Sequence, residues 1–257
     1  INIHTIKPLD EELVVAETIE SGSDSDAFEQ TLDAGEDDFD PFEALMAAAG
    51  KEELSMDDFI GVMKAATEAV RETEGQILCQ DGEAVEAYYF STSAGVTSTD
   101  EIWGSDEAAP YLRSVPCKFD EEEPWSSWIV ELPWKMLEDR IREKGEGTVL
   151  RSVTVTRRSE SGAATALEAV SDKDSCIIEN EYEIRKFLAP VNCMITEKDG
   201  TETAGGSLLP SAYFELERMQ NGNLQVRGKG YGHGVGMSQT GADKMAEQGY
   251  DYREILD

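Results

Sequence analysis

Apolar positions change their spacing several times along this chain of 257 residues. Met56, Phe59, Ile60, Met63, Ala66, Ala69 and Val70 recur at helical intervals, Ser55 or the Asp57-Asp58 pair suits a first turn, and Gly75 suits a stop. That pattern predicts a helix over about 56–73. Two β-rich runs follow, 76–79 and 84–90, joined by Gln80-Asp81-Gly82-Glu83; Asp-Gly between such runs predicts a hairpin. Residues 91–97 form a loop of small, hydroxyl-rich residues, and 110–115 reads as a returning strand. Alternation at period two predicts strands over 125–132, 149–156 and 163–170, and a further hairpin over 211–216 and 223–228. Between them, 133–143 is helical, with Met136, Leu137 and Ile141 on one face, and 180–188 is a short helix ended by Pro190. Strands and helices mix without strict βαβ alternation. The expected class is therefore α+β, with mixed, largely antiparallel sheets and several short helices.

The run from Gly230 to Gln239 interrupts this alternation. Its four glycines alternate with other residues, so the backbone can take positive φ and lie close to a ligand or another strand. His233 sits in its middle, and Ser238 stands where a helix should begin, ready to cap the first turn. A glycine loop, a titratable ring and a helix N-terminus suit a polar ligand. Alternating glycines equally suit a tight strand bend or two crossing backbones, and both readings stand at this point. The run is not a nucleotide loop: it lacks the Gly-Lys-Ser/Thr ending, and the chain stops too soon afterwards for a dinucleotide unit.

Charge narrows the partners. A formal net charge of -32 disfavours nucleic acid, anionic lipid and anionic wall polymers, since binding those depends on Lys and Arg. A neutral or mixed-charge ligand fits better. No apolar run approaches the roughly 20 residues that cross a bilayer. The chain starts at Ile1 and reads as a piece of a longer protein, with any export signal or anchor upstream. Acidic residues crowd 18–58, which reads as a solvated insertion rather than a calcium loop. The chain is thus divided into an acidic segment, 1–58, and a domain, 59–257, carrying a β-rich insert at about 120–222. Cys79, Cys117, Cys176 and Cys193 are too scattered for a zinc knuckle, and neither a metal nor a cofactor is expected. Pairing of Cys176 with Cys193, or of Cys79 with Cys117, stays open beside four free thiols.

Two stretches carry a resemblance. Residues 87–95, Ala-Tyr-Tyr-Phe-Ser-Thr-Ser-Ala-Gly, with Ile102-Trp103-Gly104 and 110–115, resemble the first half of the sporulation stage II protein D / LytB domain. Residues 232–239, Gly-His-Gly-Val-Gly-Met-Ser-Gln, with Gly241-Ala242, Met245-Ala246 and 252–256, are similar to its second signature. The resemblance implies work on peptidoglycan outside the cytoplasmic membrane of a Gram-positive, spore-forming bacterium. It implies either a lytic transglycosylase or a non-catalytic module that binds glycan or enhances an amidase. The implied partners are glycan strands and a cell-wall amidase or other sporulation wall hydrolase. Lysis would need one carboxyl group of raised pKa, acting as acid and then as base. The family's Glu-Met-Pro phrase and following helix are not found here. Leu13-Val14-Val15-Ala16-Glu17 is faintly similar to the lead-in, which makes Glu17 the candidate acid, with a surface acid at a strand end as the alternative.

The resemblance places a cleft between the two signatures. Tyr89, Ser91, Thr92 and Ser93 are expected on one wall, and His233, Gly234, Ser238 and Gln239 on the other. Each has a plainer reading. The hydroxyls can satisfy turn backbone groups, His233 can fix the glycine loop, and of Tyr88 and Tyr89 one should be core and the other exposed. Trp103, followed by the tight Gly104, is read as core.

Overall fold

The computed structural model describes residues 5–8 and 56–257, Asp106 excepted. Glu17 and the acidic stretch up to residue 55 lie outside the described residues. The chain divides into two compact units, one within Thr5–Ala84 and one that includes Val85–Asp257.

In the first unit, strand β1 (Thr5–Pro8) precedes helix α1 (Met56–Glu72), β2 (Gln76–Gln80) and β3 (Glu83–Ala84). The three strands form an antiparallel sheet in the order β1-β2-β3. Asp81 and Gly82 both take positive φ at the tip of the β2–β3 hairpin, as a two-residue hairpin turn requires.

The second unit begins at β4 (Tyr89–Phe90), shorter than the strand expected over 84–90. Its partner explains the length. It pairs in parallel with β13 (Met237–Ser238), almost 150 residues away. The expected strand at 110–115 is a turn-rich loop bounded by Pro110 and Pro116. Thr97 takes over its hydrogen bonds: its N–H donates to the Val115 carbonyl at 2.9 Å, and its hydroxyl accepts from the Val115 N–H.

The middle of the chain builds two antiparallel sheets around one core. Strand β5 (Trp128–Leu132), helix α2 (Trp134–Glu143), β6 (Leu150–Arg158), β7 (Ala164–Ser171), β8 (Ser175–Glu179), helix α3 (Glu181–Phe187), β9 (Met194–Glu197), β10 (Glu202–Ala204), β11 (Phe214–Arg218) and β12 (Leu224–Gly228) follow in order. One sheet runs β10-β9-β5-β12-β11 and the other β6-β7-β8. Alternation on β5 sends Trp128, Val130 and Leu132 inward, where they meet Leu137 and Ile141 of α2, Leu167 of β7 and Ile184 of α3. The short β8, β9 and β10 were not expected from the periodicity. Helix α4 (Gln239–Glu247) starts at the expected cap, where Ser238 Oγ accepts from the Gly241 N–H, and α5 (Tyr252–Leu256) starts on an Asp251–Glu254 capping box. The class is α+β, with largely antiparallel sheets, as the patterning predicts. All four cysteines are free thiols.

Candidate functional site

The two signature stretches meet backbone to backbone. The Thr92 N–H donates to the Tyr231 carbonyl at 3.0 Å, and the Tyr231 N–H returns a bond to Thr92 at 2.8 Å. Ser98 N–H donates to Gly234, Met237 N–H to Tyr88 and Thr240 N–H to Ser91. Glycine is required for this approach. Gly236 has φ +80°, and a Cβ there would lie 2.2 Å from the Tyr88 carbonyl oxygen. The seam is anchored to the sheet beneath it, where buried Trp128 donates its indole N–H to the Gly230 carbonyl at 2.9 Å.

Asp120, fully buried, closes the seam from within. It comes from a third stretch that carries no recognised motif. Its Oδ2 accepts from the Ser93 N–H at 2.8 Å and from Ser238 Oγ at 2.6 Å, and its Oδ1 accepts from Ser93 Oγ at 2.8 Å. This corrects the placement of several expected groove residues. Thr92, Ser93, Gly234 and Ser238 are buried, and the hydroxyls of Thr92, Ser93 and Ser238 bond within the seam rather than to solvent. Ser91 is half-buried, and its carbonyl accepts from the N–H and hydroxyl of Thr240. Tyr89, 61% exposed, and the exposed Gln239 are the expected residues left facing solvent.

His233 lies between these extremes. Its Nδ1 accepts from the Val235 N–H at 3.2 Å, and it also hydrogen-bonds the Tyr89 backbone, so both signatures engage the ring. Burial, reinforced by the Arg185 charge, pushes its pKa down to about 4 against the favouring effect of the Tyr89 contact. The imidazole is thus neutral near pH 7. These bonds tie the ring to both signatures.

Trp103 departs from expectation. It ends a 3-10 turn, Asp100–Trp103, that Gly104 terminates at φ +99°. The ring is 37% exposed rather than core. It sits 5.0 Å from the Tyr88 ring and 5.2 Å from the His233 ring, centroid to centroid. Tyr88, Trp103 and His233 therefore make one aromatic cluster that spans the two signatures. An aromatic next to a glycine gave no signal in the sequence to separate a platform from a core residue.

Among the described residues, no three His, Cys, Asp or Glu side chains come together as a metal site, and no helix is long and apolar enough to cross a membrane. The buried carboxylates among them already have partners. Asp120 holds the serines, Glu181 pairs with Arg185 at 2.5 Å, and Glu197 accepts from the Thr203 hydroxyl.

Residues 117–236, which contain both sheets of the middle region, match the model of a domain of unknown function (DUF8618). The chain is 32% identical over 199 residues to stage II sporulation protein D of Bacillus amyloliquefaciens, covering 77% of this chain and 50% of that protein. Its counterpart in Bacillus subtilis is 30% identical over 195 residues, 76% of this chain and 49% of that protein. Over this region the chain resembles proteins of the SpoIID/LytB family. A third SpoIID/LytB relative, the amidase enhancer of Bacillus subtilis, is 23% identical over 221 residues, 73% of this chain and 30% of that protein. The chain spans about half the length of the sporulation proteins it matches. Two of these relatives are named for sporulation and the third for enhancing an amidase.

Proposed function

We propose that residues 85–257 bind the glycan strands of peptidoglycan at the seam of the two signatures, in cell-wall remodelling during sporulation. The observation that carries this reading is the aromatic cluster of Tyr88, Trp103 and His233, with exposed Tyr89 on the adjoining strand. The apolar C–H face of a pyranose packs on such rings, while its hydroxyls stay solvated or meet polar groups such as Gln239. A chain of net charge -32 suits a ligand without dense negative charge. On this reading the protein works outside the cytoplasmic membrane, where glycan strands lie.

Strand cleavage needs a carboxyl group free to protonate the glycosidic oxygen. The three buried carboxylates described above are occupied, and Glu17, outside the described residues, is the candidate acid on this reading. The printed name of the amidase enhancer supports a second reading, a glycan-binding module that assists a wall amidase without cleaving strands itself.

The test is retention of the 257-residue chain on purified glycan strands stripped of stem peptides. Wild type should be retained, and Trp103→Ala should bind about three- to tenfold more weakly, the worth of one ring contact. Equal retention of the variant would overturn the assignment of the cluster. Muropeptide mass spectrometry on strands digested with the full-length protein separates the two readings: anhydro ends support lysis, and intact strands support the binding module.

A further inference from the structure

Four hydroxyls that the signatures do not account for meet against the glycine run. Ser98 stands between the parts of the first signature, Ser159 and Ser161 lie in the turn joining β6 to β7, and Tyr213 immediately precedes β11. The Tyr213 hydroxyl donates to Ser98 Oγ at 2.9 Å, and Ser98 Oγ lies 2.6 Å from Ser161 Oγ. Ser161 Oγ in turn lies 3.2 Å from the Tyr213 oxygen and 2.8 Å from Ser159 Oγ. Ser98 is fully buried and Tyr213 is 8% exposed. Burying a hydroxyl costs free energy unless it finds a partner, so an apolar side chain would fill this space more cheaply. What a fully connected buried network supplies instead is one fixed geometry.

That geometry leads to one peptide unit. The Ser98 N–H donates to the Gly234 carbonyl at 2.6 Å. The Tyr213 ring presses on the same residue from another side: a Cβ on Gly234 would lie 3.0 Å from the ring edge and 3.1 Å from the phenol oxygen. The Gly234 carbonyl and the Val235 N–H belong to a single planar peptide, so whatever orients one orients the other. The Val235 N–H is the donor that His233 Nδ1 accepts. A neutral imidazole that accepts at Nδ1 carries its proton on Nε2. Tyr213 also fixes the start of the glycine run, where its carbonyl accepts from the Lys229 N–H at 2.9 Å.

We propose that Tyr213 is a positioning residue for His233. Its hydroxyl, bonded to Ser98 and Ser161, holds the Gly234–Val235 peptide at the angle that fixes the imidazole as its Nε2–H tautomer. The β-rich insert, which supplies Ser161 and Tyr213, thereby sets the direction of a ring in the aromatic cluster without touching a ligand itself. A tyrosine that served only as packing would be replaced by phenylalanine at no cost to the ring. The consequence for glycan rests on the reading of the seam as its binding site, whereas the tautomer of His233 does not depend on that reading.

Nitrogen-15 NMR of the imidazole rings in the 257-residue chain at pH 7 tests this, with retention on purified glycan strands and urea unfolding run beside it. The chain has two histidines, so His4→Gln assigns the His233 signals. Wild type should show one fixed tautomer, protonated at Nε2. Tyr213→Phe keeps the ring and removes the hydroxyl, and Ser161→Ala removes its neighbour; each should draw the two ring nitrogen signals toward their mean and weaken glycan retention about threefold. Ser161→Ala carries the test if Tyr213→Phe does not fold. Ser159→Ala is the control. It loses the bond from the Ala163 N–H and should lower the urea midpoint, yet it leaves the Ser98, Ser161 and Tyr213 contacts in place and should leave the His233 signals at their wild-type positions. Unchanged ring signals in a folded Tyr213→Phe or Ser161→Ala variant would overturn the proposal, whatever happens to stability or retention. So would averaged tautomers in wild type, or ring signals that move as far in Ser159→Ala. Ring signals that move as expected in a chain that glycan strands do not retain would support the positioning role and overturn the glycan reading.

Discussion

Replacing Asp120 by alanine removes the one acceptor shared by the two signatures. In the wild type its carboxylate takes bonds from the Ser93 N–H, Ser93 Oγ and Ser238 Oγ, all within 2.8 Å. The hydroxyls have second choices: Ser238 Oγ lies 3.2 Å from the Ser91 carbonyl, and Ser93 Oγ lies 3.4 Å from the Cys117 carbonyl. The Ser93 N–H has no such alternative and is left buried without an acceptor. Hydrogen bonds to a charged group contribute about 1.5–3 kcal/mol each, and an orphaned buried donor costs about 1–3 kcal/mol. With partial rescue of the hydroxyls, Asp120→Ala should cost about 3–5 kcal/mol, a large share of the roughly 5–15 kcal/mol of a typical domain. Asp120→Asn can keep a carbonyl oxygen at the Oδ2 position and let its amide donate to Ser93 Oγ, so it should cost only about 1–2 kcal/mol. The assay is urea unfolding followed by tryptophan fluorescence. All four tryptophans, at 103, 125, 128 and 134, lie in the unit that holds the seam. With a slope of about 2 kcal/mol per M, the alanine variant should unfold about 2 M earlier than wild type. An alanine midpoint within about 0.5 M of wild type, or an asparagine variant as weak as the alanine one, would refute the reasoning.

Other consequences follow from the same geometry. His233 is neutral in the fold, with a pKa near 4 against about 6.5 in the unfolded chain, so its contribution is fully present above pH 6.5 and is lost as pH falls toward 4. Between those values wild-type stability should fall more steeply than that of His233→Gln, by up to about 1.4 kcal/mol per pH unit, and parallel urea midpoints from pH 7 to 5 would contradict this. Gly236→Ala meets both a positive φ and a backbone oxygen 2.2 Å from the new Cβ. It should cost about 3 kcal/mol or more in the same unfolding assay, whereas alanine at Gly206, which has open space, should cost under about 1 kcal/mol. Trp103→Ala, which loses glycan in the retention assay, should leave the urea midpoint within about 0.5 M, because its ring is partly exposed and outside the main core.

Much of the local structure was legible because it depends on nearby residues. Helical spacing from Met56 to Val70, the Asp81-Gly82 turn, the alternation of β5 and the Ser238 cap all express preferences of a few adjacent positions. What spacing did not reveal is long-range. The stretch expected as one strand over 84–90 divides because Tyr89 and Phe90 find parallel partners at Met237 and Ser238. The hydroxyls of Ser93 and Ser238 looked like groove residues because the acceptor that draws them inward, Asp120, stands 27 and 118 positions away in an unmarked loop. Trp103 looked like core because the tight Gly104 follows it, and no period records that it stays 37% exposed beside Tyr88 and His233. Arg185 was read only as part of a short helix. Its side chain gains meaning from the Leu209 and Pro210 carbonyls, supplied by a segment more than 20 residues on.

Hydrogen exchange of the 257-residue chain, with and without purified glycan strands, tests the central claim most directly. The account predicts slower exchange on ligand addition at residues 88–95, 102–104 and 230–240, with little change in α2 or β6. Unchanged exchange across those three stretches at saturating glycan, or protection confined to the β6-β7-β8 sheet, would contradict it.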